Sequence, residues 1–465
     1  MRTPMQGTGL RAQGSVPPPA RVSSTIAGTA AIAGVFIALI ASTANAETVK
    51  LTAEGAASRA AEVSHVAAAA LDRARAAAES VNAADAARLP LIAGTATLAQ
   101  RSSVPEFALP FALPGQQPLV LVPDITTTYG ASFRLSEALY AGGAITAQRT
   151  ATRHDTDASL AVTGQTVADV RLTARLGYWE AVRDAANVGA ARSQEERAKR
   201  LLDDTRALLT AGMTLEADVL AAEERAASAR VQVIAAENSA ANSLARLRSL
   251  LQLPDQDAVE LADSLARGLP ALPGALADLE GQALARRHEL AVTAAQLAAL
   301  HAREEIARAG MRPTVGAVAQ WDYSRPNQRY FPQADQWKDS WSVGLAASLT
   351  LFDGGRTRAD TAAFRLNQQA AQRDREDLTR RILLEVETNR RNLESALAAV
   401  TAADAARAAA EKREVAASER HAAGLATMLE VLDAQAGLAG AEQQQINARA
   451  SSWIASAYLA RAAGQ

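Results

Sequence analysis

Two acidic residues near the C-terminus, Glu430 and Asp433, have a spacing that could serve a function. Residues separated by three positions share one face of a helix. Where copies of such a pair are brought together, the crowded like charges attract cations and raise the pKa of some of the acids. Acids at this spacing are also common on ordinary solvated helix faces, so the pattern alone leaves both interpretations open.

Other kinds of chemistry lack the residues that they need. The chain has no cysteine, which excludes disulfides, cysteine-ligated zinc, thiol catalysis and an acylated N-terminal cysteine. No phosphate-binding glycine loop and no nucleophile elbow appear in the sequence. The net charge is −2 without a basic patch, which argues against a nucleic-acid partner. The histidines do not have the spacing of metal ligands; they are His65, His154, His288, His301 and His421. No catalytic residue, cofactor or metal site is predicted.

The N-terminus has the features of a secretory signal peptide. Several arginines precede an apolar run, Ala30–Ala41, and the segment Ala44–Ala46 is a small-x-small cleavage pattern. A single membrane anchor is the alternative, but the apolar run is short for a membrane span. We expect residues 1–46 to be removed, so that the mature chain begins at Glu47.

An internal repeat organises the rest of the chain. Tyr140–Gly143 aligns with Phe352–Gly355 at an offset of 212 residues (352 − 140). The same offset, without a gap, aligns Ala211–Leu220 with Ala423–Leu432. Chance similarity between alanine-rich helices is the alternative, but equal offsets at both ends of the segment argue against it. The sequence therefore predicts two copies of one structural unit.

Each predicted copy has the same order of elements: a helix, a pair of strands, a very long helix, a glycine-containing turn and a second helix. The first copy spans 47–250, with a helix at about 52–86, strands within 88–140 and a turn at 211–213. The second spans 275–465, with a helix at about 275–309, strands within 313–352 and a turn at 423–425. The segment 251–274 links them. A helix over 144–210 would be about 100 Å long, a length that suits a coiled coil or a tunnel wall.

The predicted strands of the second copy carry the argument for a membrane location. Between residues 337 and 352, odd positions are mostly apolar and even positions are mostly polar or small. This alternation fits a membrane barrel with a wet lumen, and it fits a half-buried soluble sheet equally well. Aromatic residues favour the membrane, because 7 of the 18 (5 Trp, 6 Tyr and 7 Phe) lie between 321 and 352, as an interfacial girdle requires. The seven are Trp321, Tyr323, Tyr330, Phe331, Trp337, Trp341 and Phe352.

Four strands are too few to close a barrel. An open sheet edge in lipid leaves backbone groups without hydrogen-bond partners, so the chain must oligomerise if these strands span a membrane. Known single-chain barrels begin at about eight strands, which two copies of the chain would supply, whereas three copies would supply about twelve. The sequence pattern is compatible with both a dimer and a trimer.

Taken together, these features resemble the TolC-type outer-membrane efflux family over essentially all of residues 47–465. Leu351–Gly355 (LFDGG) is similar to that family's strand-to-helix signature, and Leu250–Pro254 (LLQLP) to the usual close of its first repeat. Arg286–Leu290 (RRHEL) resembles a recurrent Arg-Pro-Asp-Leu stretch, with histidine in place of proline. Each motif is weak alone, whereas their order, duplication and spacing together are specific.

The resemblance implies an all-α tunnel combined with a membrane β-barrel of twelve strands that is closed by trimerisation. It implies a location in the outer membrane of a Gram-negative bacterium, with a periplasmic tunnel, and a passive channel that is not an enzyme. The implied partners are two further copies of the chain, outer-membrane lipid, a periplasmic adaptor and an inner-membrane pump of a tripartite efflux or type I secretion system. Two alternatives are a periplasmic coiled-coil adaptor or scaffold, which needs no amphipathic strands, and an exported enzyme, for which the sequence offers no catalytic group.

The resemblance also implies roles for residues near the two turns. Gly212 and Gly424 correspond to periplasmic helix turns where adaptor hairpins dock, although a plain helix break is the alternative. Glu430 and Asp433 correspond to paired acids at a constricted tunnel entrance. In a trimer they would form two rings of three carboxylates, which would attract cations.

One further acid, Asp218, corresponds to a residue that latches the closed entrance in the family. The expected cationic partner two positions after Gly424 is here Ala426. His421, three positions before Gly424, is the remaining candidate partner. A latch between Asp218 and His421 would depend on pH, because histidine changes its charge near neutral pH.

Overall fold

The structure is a computed structural model, and it describes residues 48–109, 119–254, 257–266 and 268–465. The predicted signal peptide, residues 1–46, lies outside the described residues. The account of the fold that follows refers only to the four described ranges.

The described chain alternates short strands, pairs of short helices and very long helices. The elements up to the middle of the chain are β1 (Thr48–Leu51), α1 (Ala53–Val63), α2 (His65–Ala86), β2 (Leu91–Gln100), β3 (Phe107–Leu109), β4 (Leu119–Val122), β5 (Thr127–Ala141), α3 (Ala144–Thr210) and α4 (Glu216–Leu251). The later elements are β6 (Ala258–Leu261), α5 (Leu276–Arg286), α6 (His288–Ala309), β7 (Thr314–Arg325), β8 (Lys338–Ser348), α7 (Arg356–Ala422) and α8 (Met428–Ala462). Helices α3 and α7 each contain 67 residues, and their first residues are 212 positions apart (356 − 144).

The helices expected at about 52–86 and 275–309 are each divided in two. Ser64 lies between α1 and α2 with an extended backbone (φ −65°, ψ 120°), and its hydroxyl accepts a hydrogen bond from the Ala67 amide. Such a serine cap satisfies an amide that has no partner within the helix, so a new helix begins there. Arg287 separates α5 from α6 with almost the same backbone angles. Alanine and leucine periodicity continues across both breaks, so hydrophobic pattern alone does not indicate them.

Long helices pack side by side through small residues. Helix α3 lies against α2, α4, α6 and α8, and α7 lies against α6 and α8. Many buried positions of α3 are alanine, including Ala174, Ala181 and Ala198, and small side chains allow neighbouring helix axes to approach closely. Among the described helices, none is both long and apolar enough to cross a membrane.

The main apolar core lies where α1 and the β1–β6 pair pack against α3. Strands β1 and β6 pair in parallel, and the core around them contains Leu51, Tyr178, Trp179, Leu247 and Leu251. The buried Tyr178 hydroxyl donates to the Leu51 carbonyl at 2.9 Å and accepts from the Asp263 amide at 3.0 Å. This contact ties the start of the described chain to the segment 251–274, which the sequence indicated only as a linker.

Four strands form an antiparallel sheet in the order β2-β5-β7-β8. Its register places Phe133 opposite Trp321, and Trp321 opposite Trp341, so these rings share one face. That side of the sheet, called the apolar face below, carries Ile92, Leu98, Tyr129, Phe133, Leu135, Val315, Trp321, Tyr323, Trp341, Val343 and Leu345. The other side, called the polar face, carries Thr95, Thr97, Thr128, Ser132, Arg134, Gln320, Asp322, Ser324, Lys338, Ser340 and Ser342.

Candidate functional site

Two turns with the same geometry reverse the chain between its long helices. Gly212 (φ +69°) and Gly424 (φ +72°) have left-handed backbone angles, which glycine adopts without a steric penalty. In both turns the next amide, that of Met213 or Leu425, donates to the carbonyl five residues earlier at 2.8 Å. This bond is typical of a left-handed helix end, which satisfies otherwise unpaired carbonyl groups. The two glycines therefore end α3 and α7 in the same way.

Large apolar side chains are exposed at both turns. They are Met213 and Leu215 after α3, and Leu425 and Leu429 after α7. We call these four residues the turn surface. Clustered exposed apolar side chains are typical of sites where another molecule binds.

Both predicted entrance acids have an arginine partner in the same chain. The Arg413 guanidinium forms an ion pair with the Asp433 carboxylate, and the Arg420 guanidinium lies 3.6 Å from the Glu430 carboxylate. Both pairs connect α7 to α8 across their shared turn. All four side chains are partly solvated, with exposed fractions of 49–62%. The carboxylates are thus locally compensated by positive charge.

The spacing of the two acids gives no hint of these arginines, whereas the turn at Gly424 does. Arg413 precedes that glycine by 11 positions (424 − 413), and Asp433 follows it by 9 (433 − 424). Because the chain reverses at Gly424, residues at similar distances before and after it become neighbours. The same reasoning applies to Arg420 and Glu430, which are 4 and 6 positions away.

The residues of the expected latch each make local contacts. The Asp218 carboxylate accepts hydrogen bonds from the Thr214 hydroxyl at 2.7 Å and from the Leu215 amide at 3.3 Å, and so caps the start of α4. The Nδ1 atom of His421 lies 3.0 Å from the Ala426 carbonyl oxygen, which can only accept, so Nδ1 carries the proton. Within the ranges that the structure describes, Asp218 and His421 form no ion pair, and a latch between them stays a prediction.

The predicted girdle aromatics come together at one end of the apolar face. The Tyr323 ring stacks on Trp337 at 4.8 Å and on Trp321 at 6.0 Å between ring centroids. Trp341 lies directly opposite Trp321 in the sheet. Two rings of β5 join them: Phe133 stacks on Trp321 and Tyr129 approaches Trp337, each with 6.0 Å between ring centroids. The aromatic cluster therefore spans β5, β7 and β8.

Comparison with known proteins places these features in a family. A model of the family described as "Outer membrane efflux protein" matches residues 56–252 and 279–465. The Outer membrane protein TolC of Vibrio cholerae is 24% identical over 275 residues, which cover 58% of this chain and 62% of that protein. The match thus spans less than two thirds of that relative's length.

Solved structures share the fold at low sequence identity. A membrane protein from Pseudomonas aeruginosa superposes with a TM-score of 0.72 and 19% identity, covering 90% of this chain and 91% of that one. The open state of the Neisseria gonorrhoeae MtrE outer membrane channel gives a TM-score of 0.72 and 17% identity, covering 89% and 88%. Both comparisons cover about nine tenths of this chain.

Proposed function

This chain belongs to the outer membrane efflux protein family, whose members are outer-membrane channels and not enzymes, and we propose that it is the exit duct of an export machine. The observation that carries the proposal is the four-stranded sheet. Its apolar face is exposed, with Val343 and Leu345 at 73% and 75%, and β2 and β8 are its two edges. A face of this kind needs lipid or protein to cover it, and both edges need partner strands.

Three copies of the chain would satisfy both needs. In this arrangement β8 of one copy pairs with β2 of the next, and a closed barrel of twelve strands places the apolar face against lipid and the polar face around the lumen. The trimer follows from the family resemblance. The equal lengths of α3 and α7 and their 212-residue separation support two copies of one unit in each chain.

The long helices would continue the barrel as a periplasmic tunnel that ends at the two turns. We place the docking site for a periplasmic adaptor at the turn surface, because its exposed leucine and methionine side chains can bury apolar area against a partner helix. An inner-membrane pump would complete a tripartite efflux or type I secretion system. The alternative, a periplasmic adaptor or scaffold, leaves the aromatic apolar face without a role.

A charge placed on either face of β8 tests the orientation of the sheet. The change Val343→Arg puts a charge on the proposed lipid face, where arginine costs about 2–4 kcal/mol near the middle of the bilayer, and it should block assembly in the outer membrane. The matched control, Ser342→Arg, lies one position away on the polar face and should assemble. Recovery of assembled protein from outer-membrane fractions is the measurement. Equal sensitivity to both changes would indicate a sheet that is buried on both sides.

A further inference from the structure

We propose that the loop joining β7 to β8, residues 326–337, narrows the outer mouth of the duct and limits the size of what passes. We call it the mouth loop. This inference rests on the proposed function, since it needs the polar face of the sheet to line a lumen. It adds a second constriction to the proposed channel, besides the expected one at the periplasmic entrance, and this one lies at the end of the sheet away from the long helices.

The first residues of the mouth loop, 326–329, lie over the polar face of the sheet, whereas its last residue, Trp337, stacks on the Tyr323 ring of the apolar face. Between its first residues, 326–329, and the sheet lies a cavity of about 300 Å³. The cavity is lined by polar-face residues from all four strands, which are Thr97 on β2, Gly130 on β5, Asp322 on β7 and Ser340 on β8. Residues 326–329 therefore border a space that all four strands also line.

Hydrogen bonds from one buried side chain hold the loop in this position. Asn327 is only 4% exposed, and its side-chain nitrogen donates to the Lys338 carbonyl at 3.0 Å and to the Ser340 hydroxyl at 3.1 Å. Its side-chain oxygen accepts from the Arg329 amide at 3.0 Å. A buried amide with every one of these bonds made is costly to withdraw, because its polar atoms would lose their partners.

Two further contacts fix the base and the tip of the loop. Arg325 forms a two-bond ion pair with Asp335, at 2.8 and 2.7 Å, which closes the base of the loop. The Gln333 amide donates to the Leu121 carbonyl at 3.3 Å, which joins the tip to β4. Bidentate arginine–carboxylate pairs have a fixed geometry, so the loop is held at several points along its length.

In the proposed barrel the polar face encloses the lumen, so each copy of the chain places residues 326–329 of its mouth loop inside the pore. Because the contacts of Asn327, Arg325 and Gln333 hold the loop in place, it would act as a permanent constriction of the pore and not as a hinged lid. The solutes that it restricts are those of large cross-section, whatever their charge.

Single-cysteine modification in planar bilayers tests the proposal, since the chain has no cysteine of its own. Gln328→Cys puts a thiol on an exposed loop position that lines the cavity, and attaching a bulky water-soluble thiol reagent should lower the single-channel conductance. The wild-type channel treated with the same reagent is the control, since the chain has no cysteine, and its conductance should stay unchanged.

A shortened loop gives the opposite change. Replacing residues 328–333 with two glycines should raise the conductance, because less chain occupies the mouth. If that variant fails to assemble, the modification of Gln328→Cys still decides. Conducting channels in which modification at residue 328 leaves the current unchanged would overturn the mouth-loop inference alone. Outer-membrane protein that inserts but never conducts would overturn the proposed duct and this inference with it.

Discussion

Replacing Arg413 and Arg420 with glutamine should turn the compensated acids at the α7–α8 turn into free negative charges. In the wild-type chain Arg413 is paired with Asp433, and Arg420 lies 3.6 Å from Glu430. Because all four side chains are about half exposed, each pair contributes at most about 1 kcal/mol to folding stability. Glutamine keeps a polar side chain of moderate length, so the change removes charge while assembly survives.

The size of the effect follows from the number of carboxylates that lose their partner. Each chain has two such acids, so the proposed trimer would expose six (2 × 3). Exposed charge pairs contribute about 0.2–1 kcal/mol each. Taking about 0.3 kcal/mol for each of the six acids, a multivalent cation would bind about 1.8 kcal/mol more tightly. Since about 1.4 kcal/mol corresponds to a factor of ten, the gain in affinity is roughly 20-fold.

Planar-bilayer recording with a trivalent cation on the periplasmic side measures this gain directly. The double variant should be blocked at a lower cation concentration than wild type and should select more strongly for cations. Arg391→Gln combined with Arg380→Gln is the matched control, because these arginines pair with Glu387 and Asp377 on α7, away from the turn. The control should leave the block unchanged.

Neutralising the acids in the same background completes the test. Adding Glu430→Gln and Asp433→Asn to the arginine double variant should remove the gain in block. Equal block of wild type and the arginine double variant would refute the reasoning, because it would mean that the arginines do not compensate the acids. The pairs also imply that neutralising the acids in wild type changes selectivity less than free carboxylate rings would predict.

Three further predictions can each be tested by one measurement. N-terminal sequencing of protein from the outer membrane should begin at Glu47, and retention of Met1 would contradict cleavage. Combining Met213→Glu with Leu425→Glu should leave outer-membrane assembly intact while cross-linking to the proposed periplasmic adaptor is lost, since the change adds charge to the turn surface only; unchanged cross-linking would contradict the proposed docking site at the turns. Tyr178→Phe should lower the free energy of unfolding of the helical region, measured in urea, by about 1–3 kcal/mol, because the Leu51 carbonyl and the Asp263 amide each lose a hydrogen-bond partner; an unfolding free energy equal to that of wild type would contradict this role.

Features with a strong local signal could be predicted from the sequence. The helix expected at 144–210 is confirmed by α3. Its ends could be predicted because a glycine pair precedes it and a glycine-containing turn follows it. The alternation after residue 337 likewise places Trp341, Val343 and Leu345 on one face of β8, as expected. Periodicity and glycine position are local properties, so short segments are enough to reveal them.

Features that depend on distant pairing could not be predicted in this way. The parallel pairing of β1 with β6 joins four-residue strands about 210 positions apart (258 − 48), and neither strand has a distinctive pattern. The arginine partners of Glu430 and Asp433 are an exception, since the predicted turn at Gly424 indicates which residues of α7 and α8 become neighbours. The fold of the mouth loop depends on Asn327, an asparagine that the surrounding sequence does not distinguish from an ordinary turn residue.

The central claim is that this chain forms a passive channel in the outer membrane. Its most direct test is to purify the wild-type protein from outer membranes, reconstitute it in planar bilayers without any other protein and record single-channel currents. We expect discrete steps of ion current that need no nucleotide or other energy source. Protein that inserts as a stable assembly but carries no current under any applied voltage would contradict the claim.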